Sequence, residues 1–525
     1  MVLEVPQNPN SNIRVFCFLT NPIQKLQQHQ MINFIIYFLT TLQQIFYSKK
    51  MKTVYKYLFL IIAFTSCNTD FDDTLSENEN NTTDNIAQGA DAVYDLEKVP
   101  KITLEFKLAD WNKLLLNYDL NNKNEKKVVS KFSYEINSET IVLDSIGLKL
   151  RGNTSRRRPE GANGELHNPN NPDWHHCHFG LDFSKYKPTQ KFKGLNKMVL
   201  KWFKDDAAYA REIYCYNLFR KYNVWTAPRA SYCRINIKVD GDNLPANYGV
   251  YAMIESVDED YIADRSSQWG NSVGFLWKCG WAGWNNANFV STQSIGIENV
   301  TLNPATSVYY AYDLKTRDLE LGMGSAELTS FINDLNTKTG TEFKNWISQK
   351  MDIDLFLKTY AVNVLVGMWD DYWVNANNFY FYFAPNGKAY FIPYDYDNTL
   401  GTSLLMANSG TQNPLNWGSN SGERPLISKI LAIPEFQTKY KSYISELISS
   451  QNDLFYTTNS MNRINAWQAR IAPYIYNDTG EDMILNDVPA SWGNCSFYRL
   501  LSGNNQGGNN GAANYFSSRI QSIPF

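Results

Sequence analysis

Apolar and polar residues alternate with a period of two in KITLEFKL (101–108), TIVLDSIGLKLRG (140–152), RASYCRINIKV (229–239) and YGVYAMIE (248–255). Successive side chains of a strand point to opposite faces, so this alternation predicts β-strands with one buried face. One helix interrupts them. Asp205 or Asp206 is a suitable N-cap, and AAYAREIYCYNLFRKYN (207–223) follows with Ile213, Tyr216 and Phe219 or Arg220 at helical spacing and Glu212 in the second turn. Beyond residue 255 the period lengthens. ELTSFINDLNTKTG (327–340) and DIDLFLKTYAVNVLVGM (352–368) predict helices, the second with an apolar stripe of Ile353, Phe356, Leu357, Tyr360, Val364 and Leu365. The expected class is α+β, with a strand-rich part over 99–255 and a more helical part over 256–525. Gly and Asn from 502 to 514 predict a loop before a short final segment.

The start of the chain has a different pattern. Residues 51–67, MKTVYKYLFLIIAFTSC, have a cationic start at Lys52 and Lys56, a short apolar run and small residues before Cys67. The run is too short to span a bilayer. It resembles a bacterial lipoprotein signal, which implies lipidation of the Cys67 thiol and an exported, membrane-anchored protein, with display on the outer-membrane surface as the further expectation. Residues 1–50 read as an over-extended start with Met51 as initiator. Residues 68–98 carry acidic, Asn and Thr residues with no Lys or Arg before Lys98, and are expected to form a flexible tether.

Composition narrows the function classes. The 525 residues are 43% hydrophobic with a formal net charge of −3, which suits a globular core and gives no bulk attraction to nucleic acid. Beyond the leader, Cys177, Cys215, Cys233, Cys279 and Cys495 contain no CxxC pair and read as isolated buried thiols. A monomer is expected.

The stretch MWDDYWVNANNFYFYFAPNGKAYFIPYDYDNTLG (368–401) carries the chemistry. A helix delivers Asp370 and Asp371 into a loop, and two aromatic-rich strands flank Pro385-Asn386-Gly387. With Asn386 and Gly387 as a two-residue turn, counting back along both strands places Asn378 opposite Asp395. Carboxylates and an amide gathered at strand ends suit Mg²⁺, a hard cation that shares oxygen ligands with phosphates. An acidic loop, an Asn, a hairpin and a second Asp is also the layout of a kinase catalytic loop and its metal segment.

Residues 140–401 resemble the CotH kinase family, named for a spore-coat protein. The likeness rests on LKLRGNTS (148–155), YAREIYCYNLFRKYNVWTAPRASYCRINI (209–237), YGVYAMIESVDEDYI (248–262), WDDYWVNANNFYFY (369–382) and PYDYDNTLG (393–401). The resemblance implies a two-lobed, atypical protein kinase-like fold. It also implies transfer of the ATP γ-phosphate, with Mg or Mn, to Ser/Thr hydroxyls of secreted or surface proteins. Asp370, with Asp371 as substitute, would be catalytic. Asn378, with Asn377 as substitute, Asp395 and Asp397 would hold metal, Glu212 would orient a phosphate-binding cation, and the strand ending at Glu255 would flank the nucleotide. The family's usual lysine-bearing strand is replaced by HHCHFGLDF (175–183), with Asp182 where a lysine is expected. Lys149, Arg151, Arg156 or Lys201 would then supply the phosphate anchor.

Three other readings compete. His175, His176 and His178 could bind zinc, although strand alternation separates His175 from the other two. Trp277, Trp281 and Trp284 could form a sugar-stacking face on an inactive, kinase-like adhesion module. The acidic cluster could also hydrolyse phosphoesters without nucleotide.

Overall fold

The computed structural model describes residues 89–406, 409–418, 422–491, 495–501 and 513–525, so the leader with Cys67 and most of the tether lie outside the described residues. Seven strands form a closed barrel in the order β1-β2-β3-β4-β5-β7-β6. They are β1 (Lys101–Phe106), β2 (Val128–Ile136), β3 (Glu139–Arg151), β4 (His178–Asp182), β5 (Lys197–Lys201), β6 (Ala230–Val239) and β7 (Ala246–Glu255). The barrel closes where β1 pairs parallel with β6, so no strand edge is left open. The alternation seen in sequence sets its filling. Ile102, Leu104, Leu148, Leu150, Phe179, Leu181, Met198 and Leu200 pack inward, and Trp111, Leu114 and Leu115 of helix α1 (Leu108–Leu120) join the same core.

Helix α2 (Arg211–Lys221) starts four residues later than the pattern predicts. The Asp206 carboxylate accepts from the backbone amides of Ala208, Ala210 and Arg211 at 3.1, 2.8 and 2.8 Å, holding the preceding residues in a turn. Glu212 therefore sits in the first turn, not the second.

After the short helices α3 (Glu259–Asp264) and α4 (Ser266–Trp269), a second sheet runs in the order β11-β12-β8-β13-β14. It comprises β8 (Phe275–Cys279), β11 (Ile295–Gly296), β12 (Tyr312–Leu314), β13 (Phe379–Phe383) and β14 (Ala389–Pro393). A two-stranded ribbon of β9 (Trp281–Ala282) and β10 (Asn285–Asn286) projects beside it. Helices α5 (Leu321–Thr337), α6 (Gly340–Lys350), α7 (Ile353–Leu365), α8 (Tyr372–Asn375), α9 (Pro425–Leu431), α10 (Pro434–Ile448), α11 (Thr457–Ile475) and α12 (Tyr515–Gln521) complete the mixed α+β architecture. Helix α7 is buried almost all round, with Asp354 and Lys358 as its breaks, and so runs through the second core.

The hairpin register differs from the expected one. Phe379 pairs with Pro393 and Phe383 with Ala389, the Ala384 amide donates to Lys388 O, and the Gly387 amide donates to Ala384 O at 3.0 Å. Pro385-Asn386-Gly387 is thus a three-residue loop with Gly387 left-handed at φ +82°. The extra loop residue shifts the count by one, and Asn378 falls opposite Tyr394 instead of Asp395. The five cysteines after the leader are all buried, and among the described residues no disulfide joins them.

Candidate active site

The outer face of β3, β4 and β5 forms a roof. Since Leu148, Leu150, Phe179 and Leu200 face the barrel interior, Lys149, Arg151, His178 and Lys201 face outward, toward the segment after β14. The Lys201 ammonium lies 2.9 Å from Glu212 and 3.0 Å from Asp397 and bonds Asp395 as well. Burial alone would discharge this lysine, but Asp395, Asp397 and Glu212 hold its pKa well above the ordinary value. Burial pushes the Glu212 carboxyl up, and crowding by Asp395 and Asp397 adds to the shift; the Asp397 carboxyl is raised to about 6, mainly by burial. Three carboxylates thus share one ammonium.

Helix α2 positions this segment. Glu212 and Tyr216 are one helical turn apart, so both reach the same backbone: Tyr396 N–H donates to Glu212 Oε1 at 3.2 Å and Asp395 N–H to Tyr216 Oη at 2.9 Å. The i, i+4 spacing was visible in the sequence; its target was not. His178 adds a neutral wall. Its Nδ1 accepts from the Trp202 amide at 2.9 Å, which leaves the proton on Nε2, and burial beside Lys201 drives its pKa to about 3.

The two aspartates after α7 have separate tasks. Asp371 is buried, caps α8 by accepting from Val374 N–H at 3.0 Å, and accepts from Asn363 Nδ2 at 2.7 Å. Burial raises its carboxyl to about 7, and its bonds are spent on holding the loop. Asp370 instead receives three side-chain amides: Asn375 at 2.6 Å, Asn377 at 3.1 Å and Asn378 at 2.9 Å. Burial and the Asp395 charge raise its pKa against those amides. Ala376, Asn378 and Asp395 hold φ at 50°, 55° and 63°, a concentration of left-handed residues that the surrounding packing must sustain.

Some expected residues fall elsewhere. Glu255 lies apart from this cluster, clamped by Arg229 at 2.6 Å and Arg265 at 2.9 Å, which together outweigh burial and hold its carboxyl at about 2. Asp182 pairs with Lys127, Arg156 is taken up by Glu125 and nearby carbonyls, and Lys149 also pairs with Glu125. Arg151 donates to Tyr394 Oη at 3.2 Å, next to Asp395. The histidines do not converge. His176 bonds Asp487 and Tyr248 O, His175 contacts Asp173, and His167 bonds Glu160 and Asp242. Among the described residues no group of His, Cys, Asp and Glu stands ready as a metal cage. Trp277 is buried, whereas Trp281 and Trp284 are exposed on the β9–β10 ribbon, and Trp281 Nε1 donates to Asn375 O at 2.7 Å.

The model of the CotH kinase protein family matches residues 150–499, which include β4, β5, α2, the Asp370 loop and the hairpin. The chain belongs to this family. Among curated relatives, it is 26% identical to the inner spore coat protein H of Bacillus subtilis over 296 residues, 56% of this chain and 73% of that protein. Two invasins of Rhizopus delemar match shorter parts. CotH7 is 28% identical over 19% of this chain and 18% of its own length, and CotH3 is 23% identical over 27% and 24%.

Proposed function

We propose that this chain is an exported, metal-dependent protein kinase of the CotH type that transfers the ATP γ-phosphate to Ser or Thr hydroxyls of surface proteins. The observation that carries the reading is the Lys201 ammonium held between Glu212 and the Asp395–Asp397 segment. A lysine on a strand paired to a helix glutamate, beside a metal-segment aspartate, is the part list of a kinase with its two lobes engaged. Lys201 would hold phosphate oxygens, and Asp370 would take the proton of the acceptor hydroxyl, aimed by its three asparagine donors. Asp371 supports the loop.

The donor set fits Mg²⁺ or Mn²⁺. Asp395, Asp397 and the Asn378 amide oxygen are hard ligands, the carboxylates exceed the nearby ammonium in charge, and Asn398 Oδ1 is buried beside Asp397 without a donor among the described residues. Such an ion would neutralise the phosphate charge during transfer. Names of relatives that refer to a spore coat and to invasins, with the leader ending at Cys67, support placement outside the cytoplasm and anchoring through that cysteine.

The test is incubation of the mature chain with γ-labelled ATP, Mg²⁺ or Mn²⁺ and candidate surface proteins, against Asp395→Ala. Label on Ser or Thr that disappears in the variant is expected. The absence of both label transfer and a nucleotide-dependent thermal shift would overturn the reading.

The exposed indoles of Trp281 and Trp284 favour a second reading, an adhesion module that stacks on glycans. Retention on glycan gels that requires both tryptophans, in a chain without label transfer, would select it.

A further inference from the structure

A set of cations lies next to the carboxylate cluster without being neutralised by it. On the roof, Lys149 and Arg151 are two apart on β3 and share a face, and Gly180, opposite Lys149 on β4, leaves them room. A Cβ at Gly180 would come within 2.9 Å of Arg151 Cδ and 3.4 Å of Lys149 Cε. On the floor, Lys278 of β8 stands in register between Asp313 of β12 and Tyr380 of β13. Lys315 pairs with Asp313, leaving Lys278 without an ion pair among the described residues. Roof and floor meet through tyrosines: Tyr380 packs edge-on against Tyr394 at 5.1 Å, and Tyr394 Oη receives Arg151.

These like charges are within electrostatic reach of one another. Arg151, Lys315 and Lys278 all depress the Lys149 pKa after burial has lowered it. Arg151 reaches Tyr394, the residue before Asp395, so the roof cations begin beside the carboxylate cluster. Glu125, Asp313 and Glu298, three carboxylates against four cations, offset only part of the positive charge. Mutual repulsion of this kind is relieved by an anion, and a row calls for an extended one.

We propose that Lys278 and Lys315 on the floor, with Lys149 and Arg151 on the roof, clamp a polyphosphate chain, and that this chain is the phosphate tail of the nucleoside triphosphate. The proposal rests on the kinase reading for its ligand and adds floor residues to it. Lys201, beside the metal-binding carboxylates, would hold one part of the tail, and the clamp the rest. Binding of the tail draws barrel and sheet together, because both surfaces carry the same sign.

Titration calorimetry of the full chain with inorganic tripolyphosphate, without metal, tests the clamp apart from catalysis. Lys278→Gln with Lys315→Gln is expected to weaken binding about tenfold or more, the scale of lost charge-assisted bonds, and to raise KM for ATP with little change in KM for the acceptor. Lys278→Arg restores affinity if charge is the cause. Circular dichroism confirms folding, and Lys107→Gln on the barrel exterior controls for net charge. Unchanged tripolyphosphate affinity in the double variant overturns the clamp. A raised KM for the acceptor alone overturns its assignment to the nucleotide. Clamp binding in a chain that transfers no phosphate overturns the kinase reading and leaves the polyphosphate site standing.

Discussion

Lys201 Nζ lies 2.9 Å from Glu212 Oε2, so strand β5 of the barrel and helix α2 are joined at the charge that also bonds Asp395 and Asp397. Lys201→Met is expected to lower kcat/KM for phosphoryl transfer by about a hundredfold or more. It also leaves three crowded carboxylates. Their protons are then held more tightly in the folded chain than in the unfolded one, so stability must rise as pH falls. Thermal denaturation at pH 8 and pH 5 should show a larger loss for the variant at pH 8.

Asp370 receives three asparagine amides while Asp371 is spent on capping, which divides the pair by role. Asp370→Asn should cut kcat by roughly 10²- to 10⁴-fold with nucleotide binding retained. Asp371→Asn should act first on stability, by loosening α8. Steady-state kinetics and melting curves on the same preparations separate the two.

Glu255 gives a pH signature away from the site. Arg229 and Arg265 hold its carboxyl at about 2, below the usual 4.5, so the charged form is favoured by folding. The sign is that of a depressed acid: its contribution, about 3 kcal/mol, is complete above pH 4.5 and is lost as pH falls toward 2. Glu255→Gln should be less stable by about that amount at pH 7, and urea denaturation at pH 7, 4 and 3 should show the gap narrowing.

The hairpin loop can be checked by its glycine. Gly387→Ala places a Cβ at φ +82° and should cost about 1 kcal/mol in urea denaturation. Nothing lies within 4 Å of the added carbon, so activity should persist.

Local patterns made the four strands and the main helices legible, because alternation and helical spacing report burial directly. The Asp370 loop and the acidic segment were legible for the same reason, as polar residues bounded by apolar runs. What failed depended on single-residue geometry: one extra loop residue moved Asn378 off Asp395, and the Asp206 side chain delayed α2. The choice of Lys201 among the candidate cations needed the order β4-β5-β7, which no local pattern encodes. Lys278 is the one exposed residue of FLWKC, and its neighbours on β12 and β13 come from strand pairing that no local pattern encodes.

The parallel seam between β1 and β6 has a mechanical side. Strand β1 is hydrogen-bonded along one edge to β2 and along the other to β6. The segment leading into it is tied down by Asp91–Arg229 and by Arg470 on Leu96 and Glu97. A load along β1 shears both ladders at once instead of opening them bond by bond. A protein held by its N-terminal segment would pass that tension through these contacts to the barrel seam.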